Sequence, residues 1–531
     1  MPENIFRRAS FLLAVFWIIL FRANQSQCSP VSDIRNATVF TVNEYANEKH
    51  GVELASSVKS HVWVRAWFKW ANEFEYNGWA VEEAHRNGAL FGGGVTVSSI
   101  YRGENGISDE RFYDLVTYDP ARKLYFALGM EETNYHHGSL ENKAYLDYVL
   151  SFAFKQIDAG IDTIFMDEVH GAYSAHEGYD DYGIEGFARY LLEKYAVGRG
   201  WKADDKRWGT VFNVPLEDGA ICPDGTMKTF EYREYLRRFG FLETPQSPEN
   251  PLAAEWGFVT GYTPRDPGGS YSSDRSERAW RYLTKRLREY AASKGRKIYI
   301  TANGNNKYVD YQTNNLWIDW TLKDGRMDAG VPLIMKWKTL VEDGKALAGN
   351  VPVVFFHDWG PMGIPFKTLS AEDKINWMRI YGAEMYAAGG IFAFPVSGPP
   401  GDAGENGTLD EIIRQASFYH ESGDVYRNQG EIRVFGTGVR TSGPGISVSL
   451  AELNDPPGKV VHLINHNYNH GSIVPQENFT VKAPLRGKPS DVKILSPDFK
   501  EPLHPEYSYE NGALRVEIPL LEAYDVVVIY Q

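Results

Sequence analysis

From about residue 60 to residue 397, short apolar runs alternate with stretches of helical period, eight times in succession. A strand that feeds a crossover helix and returns beside itself builds a parallel sheet, and eight such units close into a (β/α)8 TIM barrel. The expected strands are "HVWVRAW" (61–67), "GALFGGGVTVSSI" (88–100), "KLYFALGM" (123–130), Ile161 to Phe165 within "GIDTIFMDEVHG" (160–171), "KIYITANG" (297–304), "NLWIDWT" (315–321), "VPVVFFHDWG" (351–360) and "IFAFPVSG". Helical spacing marks 141–160, 275–295 and 370–390, the last opening on Ser370 with Asp373 as a capping box. Residues 197–272, rich in Gly, Pro and Trp, read as a long insertion after the fourth strand.

Beyond about residue 425 the helical period stops. Runs such as "ISVSLAEL", "KVVHLINHN" and "YDVVVIYQ", separated by Gly, Pro and Asn turns, predict a C-terminal all-β sandwich over 425–531. The stretch 398–424 reads as a connector, and 28–397 as the barrel with its insertion. Ahead of both, Arg7 and Arg8 precede the apolar run Phe11 to Phe21 and a polar stretch, the pattern of a secretory signal peptide over 1–27. Eleven apolar residues are short for a membrane span, so the chain is expected to be exported, periplasmic or secreted, with no membrane association after cleavage.

Charge and cysteine count exclude several functions. With a formal charge of −14 and no basic stripe, a nucleic-acid partner is not expected. Only Cys28 and Cys222 are present, so there is no disulfide framework and no cysteine zinc site. "FGGGV" (91–95) lacks the Lys-Ser/Thr of a phosphate loop, and its glycines fit a bend or a close approach. No motif calls for an organic cofactor or a metal. The oxygen-rich "HEGYDDYG" (176–183) reads as a loop and helix start rather than a calcium site.

In a barrel of this kind the chemistry collects where the strands end. Polar residues crowd those ends here: Arg65, Trp67 and Trp70 on the first expected strand, Glu132 after the third, Asp167, Glu168 and His170 on the fourth. Asn303 and Asn305 follow on the fifth, Asp319 on the sixth, and His357, Asp358 and Trp359 on the seventh. Side chains alternate along a strand, so of Asp167 and Glu168 one enters the mouth while the other pairs behind it. Glu168 with Asp358, or Asp167 with Asp319, could flank one glycosidic bond across the mouth, the two-carboxyl arrangement that hydrolyses such bonds. A structural reading competes for each residue; for Glu168 it is a salt bridge to Arg65. With 14 Trp and 32 Tyr, the aromatics at strand ends are candidates for stacking on sugar rings.

Taken together, "GIDTIFMDEVHG", "YDDYGIEGFARYLLEKY", "VVFFHDWG" and the terminal sandwich resemble secreted TIM-barrel glycoside hydrolases over about residues 60–531, at the level of the superfamily. In many of these enzymes the fourth strand ends in Asn-Glu and the seventh in Glu. The resemblance therefore implies Glu168 as general acid and Asp358 as nucleophile or base, although this chain carries Asp167 and Asp358 where that pattern has Asn and Glu. A second group with aspartates on strands four and six would instead favour Asp167 and Asp319. The expected activity is hydrolysis of an oligo- or polysaccharide, with Trp67, Trp70, Arg65, Glu132, His170, Asn303, Asn305, His357 and Trp359 shaping the sugar subsites. A barrel that binds carbohydrate without cleaving it, and a polysaccharide lyase, are the alternatives.

Overall fold

The computed structural model describes residues 33–44, 46, 48–68, 76–126, 134–169, 175–202, 204–212, 231–257, 270–315, 322–323, 326–327, 330–356, 369–398, 402–469 and 471–531. Eight parallel strands form the first layer: β1 (Phe40–Asn43), β2 (Val62–Val64), β3 (Leu90–Thr96), β4 (Thr163–Asp167), β5 (Tyr299–Ala302), β6 (Gln312–Asn315), β7 (Val353–Phe356) and β8 (Ile391–Ser397). Each pairs with its neighbour in sequence, and β8 returns to β1 in parallel register, Phe40 opposite Ala393. Between β5 and β6 the ring closes through a parallel bridge, Asn303 opposite Thr313, with Gly304 N donating to Thr313 O at 2.8 Å.

The closed barrel matches the expected fold class, but its strand count is reached differently. The first strand, Phe40–Asn43, lies ahead of the expected one, so 61–67 supplies β2 and 88–100 supplies β3. Residues 123–126 are not a barrel strand. Leu124 and Phe126 make antiparallel bridges to Tyr118 and His136, inside an excursion between β3 and β4; 127–130 lie outside the described residues. From β4 onward the count is as expected, although the sixth strand, Gln312–Asn315, lies ahead of the expected 315–321, of which 316–321 are outside the described residues.

The sides of the barrel are set by strand alternation. Phe40, Val42, Val62, Val64, Phe165, Tyr311, Val354 and Phe356 fill its interior. Ile164, Met166, Phe91 and Val95 face the helices instead. Glycines make the β2–β3–β4 seam possible: a Cβ at Gly92 would lie 2.4 Å from Trp63 O, and one at Gly94 2.5 Å from the Phe68 ring. Close packing against the Trp63 carbonyl, the Gln156 side chain and the Phe68 ring accounts for the three glycines of "FGGGV".

Outside the strands run α1 (Lys49–Val58), α2 (Gly78–Arg86), α3 (Lys143–Ala159), α4 (Tyr271–Ser293), α5 (Ile334–Ala348), α6 (Ala371–Ala387) and α7 (Leu409–Glu421). Local chemistry fixes their starts. Ser270 Oγ accepts from Ser273 N, Ser370 Oγ accepts from Asp373 N at 3.0 Å, and Asn142 Oδ1 accepts from Ala144 N at 2.9 Å. The insertion between β4 and β5 packs on an aromatic cluster in which the Trp256 ring stacks on Tyr179 at 4.9 Å and on Tyr232 at 5.1 Å.

The C-terminal strands form two antiparallel sheets. One joins β9 (Gln429–Arg433), β11 (Ile446–Asn454), β12 (Pro457–Asn465), β17 (Tyr524–Tyr530) and β14 (Asp491–Leu495) in that order. The other joins β10 (Arg440–Thr441), β13 (Gln476–Pro484), β16 (Ala513–Leu521) and β15 (Tyr507–Glu510). Val461, Val527 and Ile529 on one sheet and Phe479, Val516 and Ile518 on the other share the sandwich core. Val460, Ile464, Tyr524, Val526 and Val528 point the other way and join Trp377, Tyr381 and Met385 of α6 in one apolar seam. Among the described residues, no helix is long and apolar enough to cross a membrane.

Candidate functional site at the barrel mouth

The ends of β1 to β4 set the described half of the mouth. Just past β2, Arg65 takes a left-handed backbone, φ 54°. Its side chain, 2% exposed, lies over the rings of Phe68 (4.0 Å), Phe165 (5.0 Å) and Phe356 (5.6 Å), and Nε pairs with Glu44 Oε1 at 2.8 Å. A guanidinium cannot shed its proton, so burial requires such a partner and such faces. Arg65 is thus tied to Glu44 beyond β1. The competing reading of Glu168, a salt bridge to Arg65, is not what the described residues form.

Asp167 ends β4 with its side chain on the interior face, the face of Thr163 and Phe165, and is 4% exposed. Glu168 follows with φ 56°, a left-handed conformation that costs a non-glycine residue about 1–3 kcal/mol and is found where surrounding structure enforces it. Ser98 Oγ donates to Glu168 Oε2 at 2.6 Å, and Tyr135 OH donates to the same oxygen at 3.1 Å. Both bonds fall on Oε2, which leaves Oε1 of this half-buried side chain uncommitted among the described residues. Burial, reinforced by the Glu168 charge, pushes the Tyr135 hydroxyl far up, so it remains a donor. Tyr101, stacked on Tyr135 with centroids 5.4 Å apart, is pushed up to about 12 by burial and the charges of Glu104 and Glu168.

These anchors come from the long β3–β4 excursion, where Ser99–Tyr101 pairs antiparallel with Tyr135–His137. On its inner side His137 Nδ1 meets Glu177 Oε2 at 2.5 Å, both buried. Burial opposes a charged ring, but the Glu177 charge and hydrogen bond, with the Glu168 charge, outweigh it and raise the His137 pKa. Asp180 caps the helix Asp181–Leu191, accepting from Gly183 N, Ser139 Oγ and Thr117 Oγ1 at 2.9, 2.7 and 3.0 Å. Burial raises its pKa against the pull of those bonds. The oxygen-rich stretch 176–183 is therefore spent on the scaffold. Among the described residues no three His, Cys, Asp or Glu side chains converge as a metal site.

Of the residues picked out from the sequence, Asp167, Glu168 and Arg65 come to the mouth. Trp67 does not: it is fully buried on the helix side, edge-on to Phe91 at 4.7 Å, and it presents no face to a sugar. Asn305 turns to α5, its Nδ2 donating to Leu340 O at 3.0 Å and its Oδ1 accepting from Asn314 Nδ2 at 2.9 Å, so it braces that helix. Asn303 sits at the barrel closure, half-buried. Trp70, Glu132, His170, Asp319, His357, Asp358 and Trp359 lie outside the described residues. Sequence reasoning passed over Glu44, Ser98, Tyr101 and Tyr135, whereas His137 stands out in the sequence and reads as hydrogen-bonded scaffold, the place its bond to Glu177 gives it.

No family model matches the chain, and no curated protein matches it in sequence. Solved structures do resemble it. A cycloisomaltooligosaccharide glucanotransferase from Paenibacillus sp., complexed with cycloisomaltoheptaose, is 10% identical with a TM-score of 0.55, over 94% of this chain and 85% of its own. A noncanonic maltogenic alpha-amylase from Thermotoga neapolitana is 8% identical with a TM-score of 0.50, over 94% of this chain and 99% of its own. At such identities the likeness is one of fold alone.

Proposed function

We propose that this protein is an exported glycoside hydrolase acting on an oligo- or polysaccharide with two carboxyl groups at the barrel mouth. One observation carries the reading: Glu168, at the end of β4, is held in a strained backbone with one carboxyl oxygen fixed by Ser98 and Tyr135 and the other left uncommitted among the described residues. With Oε2 occupied as a double acceptor, the proton that a general acid must carry belongs on Oε1, the atom able to meet a leaving-group oxygen. Asp358 is the proposed nucleophile or base, with Asp167 next and Asp319 in reserve. The fold likeness to carbohydrate enzymes supports the substrate class, and the leading basic and apolar residues support export.

The test is hydrolysis by the purified protein on a panel of glycans, with Glu168→Gln and Asp358→Asn alongside. Loss of a general acid lowers kcat by about 10²–10⁴-fold. A cleaved glycan whose turnover survives Glu168→Gln unchanged would overturn the assignment, and retention of glycans without any cleavage would overturn the hydrolase reading.

A further inference from the structure

Helix α4 begins beside the end of β4: Ser276 Oγ donates to Val169 O at 2.7 Å, one residue past Glu168. The residue before it, Arg275, is 4% exposed, yet its guanidinium makes no hydrogen bond or ion pair with a described residue, and its Nε is fully buried without an acceptor. The Tyr271 ring, 5.4 Å from Cζ, is its one favourable face. Buried charges are ordinarily paired, and arginine cannot lose its proton to escape the cost. Every other deeply buried arginine in the described chain has a carboxylate: Arg65 has Glu44 and Arg233 has Glu231 and Asp181.

The acids near Arg275 make no hydrogen bond to it, although its charge acts on Asp180. Glu177 is engaged by His137, and Asp180 accepts from Ser139, Thr117 and Gly183. Gly178, at φ 91°, packs its backbone against the guanidinium: a Cβ there would lie 2.8 Å from Nη1 and 3.3 Å from Nη2.

We propose that Arg275 anchors a site for a small monovalent anion beside the segment that follows β4. One fixed cation balances one negative charge, while Glu177 and Asp180 nearby disfavour a divalent ion. The anion is either free, a halide or small carboxylate, or the carboxylate of an acidic sugar in the glycan. Only the second source rests on the hydrolase reading.

The full chain is titrated by calorimetry with sodium chloride, sodium acetate and sodium glucuronate, with glucose as the neutral control, and chloride binding is checked by the broadening of its NMR line. Saturable binding is expected, weakened about tenfold or more in Arg275→Gln and less in Arg275→Lys, which keeps charge but loses the planar fork. Binding of all three anions in competition identifies a free-anion site, and binding of glucuronate alone identifies a glycan-borne carboxylate; either supports the proposal. Absence of saturable binding of any of the three to the wild type overturns it, as does unchanged affinity in Arg275→Gln. Should Arg275→Gln fail to fold, the wild-type titrations and Arg275→Lys decide. Glu168→Gln retains anion binding whether or not Glu168 is catalytic, so failure of the hydrolase reading leaves this result separate.

Discussion

Asp498 is a residue at which barrel and sandwich are fastened by charge, and its removal should cost more than that of any surface acid. Its side chain is 2% exposed, and Oδ1 accepts from Arg379 Nη2 of α6 at 2.7 Å and from Arg414 Nη1 of α7. Hydrogen bonds to charged groups contribute about 1.5–3 kcal/mol each. Each arginine keeps a second acceptor, Glu522 for Arg379 at 2.8 Å and Glu411 for Arg414 at 2.7 Å, which limits the charge stranded by the change. Asp498→Ala is therefore expected to destabilise the protein by about 3–4 kcal/mol, near the lower bound for breaking a buried pair. Asp498→Asn keeps an acceptor and should lose about half of that. The assay is urea unfolding followed by tryptophan fluorescence and far-ultraviolet dichroism. The seam of Trp377, Tyr381, Met385, Val460, Ile464 and Val526 is untouched by either variant, so the two probes should shift together. A loss below about 1 kcal/mol would place these contacts in the class of surface ion pairs and refute the argument. Separation of the two transitions would show that the charges, not the seam, couple the domains.

Two shorter expectations follow from the described contacts. Tyr135→Phe and Ser98→Ala each remove one donor from Glu168 Oε2 and should lower kcat on the hydrolysed glycan by about tenfold or more, with a double variant less than additive because both bonds share one oxygen; unchanged kcat in the double variant would show that the anchoring is idle. Asp525 of β17 is fully buried with neither oxygen hydrogen-bonded, and burial first, then the charges of Asp498 and Glu522, raise its pKa far above 3.8. The folded state then holds a proton that the unfolded chain releases, so stability falls as pH rises above 3.8. Asp525→Asn should match the wild type near pH 3 and exceed it by about 1–3 kcal/mol at pH 7, and parallel pH–stability curves from denaturant melts would refute this.

What the sequence disclosed and what it hid have physical causes. Long amphipathic helices such as α3 and α4 and the apolar body of β4 carry their period openly. β1 does not. Its four residues alternate Phe40 and Val42 with Thr41 and Asn43, and these two polar side chains are buried in a local network, Asn43 Nδ2 donating to Thr41 Oγ1 at 2.7 Å and Thr41 Oγ1 meeting Ser60 Oγ at 2.8 Å. A strand buried on both faces usually reads as an unbroken apolar run, so this one resembled a loop. "KLYFALGM" erred in the opposite sense, because its aromatic content suits an irregular excursion packed on His136 as well as a strand. The carboxylate pair on β4 was visible because no core strand ends that way without a reason. Ser98 and Tyr135 were not, because 36 residues of chain separate them before the antiparallel hairpin brings them to one oxygen.

Strand alternation sends Asp167 and Glu168 to opposite sides, yet the left-handed backbone at Glu168 ends the strand there and breaks that rule. The same device appears at Arg65 after β2, and each residue then reaches a partner from a neighbouring segment, Glu44 for one and Ser98 for the other. Whether the strain is real can be read from two variants that both delete the carboxylate. In an ordinary strand, Gly is less stable than Ala by about 0.5–1 kcal/mol, because the unfolded glycine chain has more freedom to lose. At φ 56° the order should invert, since a Cβ in the left-handed region costs about 1–2 kcal/mol that glycine avoids. Glu168→Gly is therefore expected to melt above Glu168→Ala, with both inactive on any glycan the wild type cleaves. Thermal melts of the pair make the comparison free of the lost hydrogen bonds, which are the same in each. If Glu168→Ala were the more stable, the backbone at position 168 would be relaxed, and the case that the fold strains itself to present this carboxylate would fail.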